Sequence, residues 1–114
     1  MQLNLEWAGA VLVVTVTDPR IDAASAVDFK DGLRKAVPSE AERIVLDLSQ
    51  VDFIDSSGLG AIVAATKALG PNQPLELAGL TPKVASVFEL TRMDSFLTIH
   101  ATRSAALAVA AANG

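Results

Sequence analysis

The feature that most limits what this chain can fold into is a ten-residue join, Val51-Asp52-Phe53-Ile54-Asp55-Ser56-Ser57-Gly58-Leu59-Gly60. It links an apolar run, Arg43 to Leu48, to a second run, Leu59 to Leu69, whose apolar residues have helical spacing. Two acids, two hydroxyls and two glycines crowd the join. Such residues cap helices and let backbones approach closely, so the stretch reads as a strand-to-helix turn. The first N–H groups of that helix carry partial positive charge and favour an anion, so a serine here is well placed to carry a phosphate.

Elements on either side follow from pattern. Leu3 and Leu5 alternate with polar residues, and Val11 to Thr17 is β-branched and nearly all apolar, so the two form a hairpin closed at Ala8-Gly9-Ala10. Asp18-Pro19 stops the second strand. Asp22 is placed to N-cap a helix whose apolar stripe is Ala26, Phe29, Leu33, Ala36 and Val37. Ile44 to Leu48 scarcely alternates, which predicts a strand covered on both faces. In the helix after the join, Leu59, Ile62, Val63, Thr66 and Leu69 share a face, and Gly70-Pro71 ends it. Pro74 to Ala78 reads as a strand, and Thr81-Pro82 starts a helix with Val84, Val87, Phe88 and Thr91 inward. Phe96 to His100 alternates as an edge strand, Thr102 or Ser104 caps a last alanine-rich helix, and Gly114 ends a fraying tail. The order β-β-α-β-α-β-α-β-α predicts a mixed, mostly parallel sheet.

Composition narrows the function. A chain of 114 residues with 51% hydrophobic and 19% charged residues reads as one globular domain, residues 1–114. Cysteine is absent and His100 is the single histidine, so neither disulfides nor a His or Cys metal cluster is expected. The net charge of −4 and the lack of a basic run disfavour nucleic acid. Met1 to Glu6 lacks the basic start of a signal peptide, and the longest apolar run falls far short of the roughly 20 residues that span a bilayer. The expectation is a cytoplasmic protein without membrane insertion or cofactor.

From Val45-Leu46-Asp47-Leu48 through the join to Gly60, the sequence resembles a STAS domain, and more narrowly the single-domain anti-sigma factor antagonists of bacteria. Ile21-Asp22-Ala23-Ala24 resembles the second signature of that family, a Leu-Asp that starts the first helix. The resemblance implies an α/β STAS fold, a mixed and mostly parallel sheet of about five strands flanked by about four helices. It also implies a regulatory substrate rather than an enzyme. A partner that is both anti-sigma factor and serine kinase would phosphorylate Ser56, the first serine after the aspartate. The unphosphorylated form would bind that partner and free a sigma factor, and a serine phosphatase would reset the switch. Asp22 and Asp55 fall on the acidic positions flanking the phosphoacceptor. Ser57, Gly58, Leu59 and Gly60 form the helix start that presents it to the partner. Pro19-Arg20 stands where the family usually has a glycine before the Leu-Asp.

Plainer readings compete. From spacing alone, Ser56, Ser57, Asp22 and Asp55 serve as caps, and Gly58 and Gly60 let the helix pack closely on the sheet. The glycine pair is no dinucleotide fingerprint, because Val63 stands where a third glycine belongs. Nor is the join a hydrolase elbow, since Ile54 occupies its first glycine position. His100 reads as a packed or edge residue and Trp7 as core or rim, while Ala61, Ala64 and Ala65 offer a small-residue surface for a partner. Two alternative functions remain: a permanent STAS scaffold subunit, as in a lipid-transport ATPase complex, and a small-ligand or nucleotide sensor.

Overall fold

Six consecutive buried residues, Val11–Val16 (β2), sit inside the sheet because strands flank them on both sides and helices cover both faces. The computed structural model describes residues 1–69 and 71–113, with side chains described as far as 109. Gly70 and Gly114, expected to end a helix and a tail, lie outside the described residues. Leu3–Ala8 (β1) pairs antiparallel with β2 across a turn in which Gly9 takes the positive φ of 63° that a two-residue hairpin needs at its first position. Arg43–Asp47 (β4), Leu75–Ala78 (β6) and Ile99–His100 (β7) then add in parallel, each beside its predecessor. Among the described residues this gives a five-stranded sheet of order β1-β2-β4-β6-β7. Two further strands, Arg20–Ile21 (β3) and Phe53–Ile54 (β5), pair only with one another.

Strands added in sequence in one direction, with crossovers of one hand, put the connecting helices on one face. Accordingly Ala26–Ala36 (α1), Ser56–Ala68 (α2) and Pro82–Leu90 (α3) bury Phe29, Leu33, Leu59, Ile62, Val84 and Phe88 against Leu12, Val14, Leu46 and Leu77. Arg103–Asn113 (α4) covers the other face, where Ala106 meets Val11, Val13, Val45 and Ala78. Thr102 caps α4, its hydroxyl accepting from Ala105 N–H at 3.0 Å.

Several expectations shift. The buried face of α2 is Gly58, Leu59, Ala61, Ile62 and Ala65, not a stripe through Val63 and Thr66. Small residues let α2 lie close against its neighbours, and their low hydrophobic weight hid that face behind larger ones. Ala61 and Ala65 are therefore core rather than partner surface. Phe96 is 78% exposed, because Met93–Ser95 forms a 3-10 turn after Arg92, whose φ is 61°. The strand expected from Phe96 to His100 shrinks to Ile99–His100, the length paired with β6. Thr91, expected inward on α3, is exposed, and its hydroxyl donates to Val87 C=O at 2.7 Å.

The face beneath α4 is polar at its margin. Arg43 donates to Glu76 through two hydrogen bonds of 2.7 and 2.6 Å and to Ala106 C=O at 2.7 Å. His100 Nε2 lies 2.6 Å from the same Glu76 carboxylate, so the single histidine is a packed partner in a chain across β4, β6 and β7. Arg103 reaches from α4 to the Thr15 hydroxyl at 2.7 Å and to the Asp47 carboxylate at 3.4 Å. Burial pushes the Glu76 carboxyl upward, but the hydrogen bonds from Arg43 and then His100, helped by their charges, outweigh it and hold the group below its ordinary value.

A carboxyl with a lowered folded pKa stabilises the fold above its unfolded pKa, roughly 4 to 5, and loses that contribution as pH falls through the folded value. Glu76→Gln should therefore cost about 2–4 kcal/mol at pH 7, leaving the Arg43 guanidinium short of its counter-charge. In urea unfolding the gap between parent and variant should narrow as pH falls below the ordinary carboxylate range and the folded carboxyl takes up its proton.

Candidate functional site

Beyond the sheet's parallel strands, two loops are tied together by β3 and β5, which place Ile21 beside Ile54. Both isoleucines are buried, and they root the loops in the main core. Pro19 C=O accepts from Asp52 N–H at 2.8 Å and from Phe53 N–H at 3.2 Å. Arg20 lies over the Phe53 ring, 4.2 Å from its centroid, and its Nε donates to Asp22 Oδ2 at 3.2 Å.

Asp55 is the centre of the arrangement. It takes the N-cap position of α2 in extended backbone, with Oδ1 accepting from Gly58 N–H at 2.9 Å. Its other oxygen, Oδ2, accepts from Ala23 N–H at 3.1 Å, across to the loop before α1. One carboxylate thus caps a helix and fastens the neighbouring loop to it. The aspartate, not a serine, supplies the cap. Ser56 and Ser57 occupy the first two helical positions and are exposed.

Asp22 stands close by but does not cap α1. The N-cap position belongs to Ser25, and the helix starts at Ala26. Asp22 instead organises the turn before it: Oδ1 accepts from Ala24 N–H at 3.1 Å and its C=O from Ala26 N–H at 2.8 Å. The hydrogen bond from Arg20, with further ones from Ala24 N–H and the Ser25 hydroxyl, outweighs desolvation and holds the Asp22 carboxyl below its ordinary value.

Gly58 explains why the helix can start here. A Cβ at this position would overlap Ile21 C=O and stand 2.8 Å from Ile21 C and 2.9 Å from Ile54 Cγ1. Leu59 is buried beside it. Gly60 differs from the expectation of close packing: it is exposed, and a Cβ there meets nothing within 4 Å. The structure therefore brings Asp22, Asp55, Ser56, Ser57, Gly58 and Leu59 together, with Gly60 on the outer side of the same helical turn. Sequence reasoning missed the roles of Arg20 and Phe53, because two-residue strands leave no periodicity to read, and that of Ala23, because it acts through its backbone N–H on a residue 32 positions away. Among the described residues no group of three or more His, Cys, Asp or Glu could hold a metal ion. His100 pairs with Glu76 on the α4 face, whereas α2 packs on the opposite face.

Comparison with known proteins bears on this site. A family model described as "Mlab, STAS domain" matches residues 3–99. BtrV, a candidate anti-sigma factor antagonist of Bordetella bronchiseptica, is 30% identical over 109 residues, spanning 95% of this chain and 93% of its own. The crystal structure of an anti-sigma factor antagonist from Mycobacterium paratuberculosis aligns with a TM-score of 0.84 at 26% identity, over 95% of this chain and 92% of that one. The anti-sigma factor antagonist SpoIIAA of Bacillus shares the fold in its unphosphorylated form (TM-score 0.71, 19% identity, 93% of each chain). Its phosphorylated form aligns with a TM-score of 0.66 at 18% identity, over 96% of this chain and 99% of that one.

The two glycines of the turn should respond oppositely to a methyl group. Gly58→Ala should destabilise by roughly 2–4 kcal/mol, because backbone rather than a movable side chain blocks the Cβ. Gly60→Ala should stabilise by about 0.5–1 kcal/mol, since the position is helical and open. Chemical denaturation of both variants beside the parent measures the difference.

Proposed function

The chain belongs to the STAS domain family, and we propose that it acts as a single-domain anti-sigma factor antagonist switched by phosphorylation of Ser56. The observation that carries this reading is a division of labour at the start of α2: Asp55 supplies the cap, leaving the exposed Ser56 hydroxyl outside the cap's hydrogen bonds. Ser56 is the first serine after the aspartate of the motif, and a fold-level relative, SpoIIAA, has been solved in a phosphorylated form. In the proposed reaction the Ser56 oxygen attacks the γ-phosphorus of ATP held by a partner kinase. ADP leaves, and the hydroxyl proton passes to a base of that kinase.

The consequence is electrostatic and local. A phosphoserine adds a charge of about −1.5 to −2. The helix dipole favours it there by ~0.3–1 kcal/mol, so α2 keeps its start. Asp22, Asp52 and Asp55 already make this surface acidic, and the nearby Arg20 is engaged with Asp22 and Phe53. A partner that covers the site must then bury like charges, at a cost of several kcal/mol, with each 1.4 kcal/mol a tenfold loss of affinity. The unphosphorylated form binds the anti-sigma factor and frees the sigma factor, and a serine phosphatase restores it. Asp22, Asp55, Ser57, Gly58, Leu59 and Gly60 shape the docking surface. The protein works in the cytoplasm, and no helix among the described residues is long and apolar enough to cross a membrane.

Incubation with ATP in lysate of the native host, followed by intact-mass spectrometry and peptide mapping, should show one phosphoryl group at Ser56. Ser56→Ala should lack it, and Ser56→Asp should bind the anti-sigma partner at least about tenfold more weakly. An unmodified protein in a complex that survives ATP would replace the switch with the permanent scaffold.

A further inference from the structure

The sheet has two edges of different character. β7 exposes only a two-residue edge, whereas β1 presents a six-residue one. Natural edges of that length usually carry a proline, a lysine or a bulge against association. β1, Leu-Asn-Leu-Glu-Trp-Ala, has neither proline nor lysine, and its register with β2 runs unbroken through all six residues.

The parity of the ladder shows which backbone groups are free. Thr17 N–H donates to Gln2 C=O at 3.4 Å, and the register sets these residues opposite each other. Directly opposed antiparallel residues alternate between bonded and non-bonded pairs. Gln2, Asn4, Glu6 and Ala8 therefore spend their backbone groups on β2, and Leu3, Leu5 and Trp7 turn theirs outward. The same three residues share one side-chain face. Leu3 packs onto the main core, but Leu5 and Trp7 are 48% and 49% exposed. A free row of donors and acceptors and a pair of half-bare apolar side chains thus belong to the same residues.

We propose that β1 pairs antiparallel with β1 of a second copy of this chain, joining two sheets across a two-fold axis at Leu5. That register sets Leu5 opposite Leu5 and Leu3 opposite Trp7 on one face. On the other face Asn4 lies opposite Glu6, so an amide donor meets a carboxylate. An axis at Glu6 would instead oppose two carboxylates, which is unfavourable. The strand is self-complementary in hydrogen bonds, apolar contacts and charge, as an isologous interface must be. A contact made chiefly by two strands is smaller than a standard interface, so the dimer forms and dissociates with concentration.

The test is sedimentation velocity from about 1 µM to about 1 mM, alongside emission from Trp7, the chain's single tryptophan. The mass should rise from 11.8 kDa to twice that value. Trp7 emission should shift blue with the same midpoint. Hydrogen exchange at high concentration should newly protect the amides of Leu3, Leu5 and Trp7 and leave those of Asn4 and Glu6 unchanged. Leu5→Lys should stay monomeric with an unaltered far-UV spectrum and melting temperature. A monomer throughout the range overturns the proposal. So does a dimer that persists in Leu5→Lys, or one without protection at those three amides.

Discussion

The geometry of the candidate site rests on the Asp55 carboxylate. Its two oxygens are spent in different places, one on the first turn of α2 and the other on Ala23 N–H in the loop before α1. Each bond alone is an ordinary cap or loop contact of about 1 kcal/mol. Together they fix the distance between two chain segments more than thirty residues apart in sequence. Gly58 completes the clamp by admitting Ile21 C=O where any other side chain would stand. The serines that follow can be both well placed and free of structural duty because a neighbour has taken that duty over.

The sheet gives this clamp a firm base and separates it from the rest of the chemistry. One face is apolar and carries α1, α2 and α3; the other carries α4 over a smaller apolar patch and a set of ion pairs. The titratable cluster of Glu76 and His100 belongs to that second face. A serine, a histidine and several acids in one short chain invite a catalytic reading. The sidedness of the sheet explains why they serve separate ends.

Much of this was legible in the sequence, for identifiable reasons. The β-branched run of β2, the helical spacing after Asp22 and the Thr81-Pro82 start are local signals, and each led to the right element. The crowding of Asp55, Ser56, Ser57 and Gly58 marked the turn that positions the site. What sequence could not supply were distances across the fold. Asp55 was legible as a candidate cap but not as a bridge, and Arg20 and Phe53 gave no sign of meeting. The buried face of α2 was misjudged because alanine and glycine weigh little in a hydrophobic pattern, although they decide how closely a helix can pack. His100 was legible as a packed or edge residue, but not its partner Glu76, which the chain brings to it from a neighbouring strand 24 residues away.

The order of the elements along the chain has a bearing on synthesis. Translation delivers β2, β4, β6 and the three helices of the apolar face before α4, so the sheet can begin to assemble with its second face still wet. An apolar face left bare at that stage would invite association with chaperones or other nascent chains. Here the waiting surface has Arg43, Glu76, Asp47 and Thr15 around a small patch of valines and alanine, groups that water can solvate. When α4 arrives, Arg43 finds Ala106 C=O and Arg103 finds Thr15 and Asp47. A face built to be closed last is thus one that tolerates being open on the ribosome.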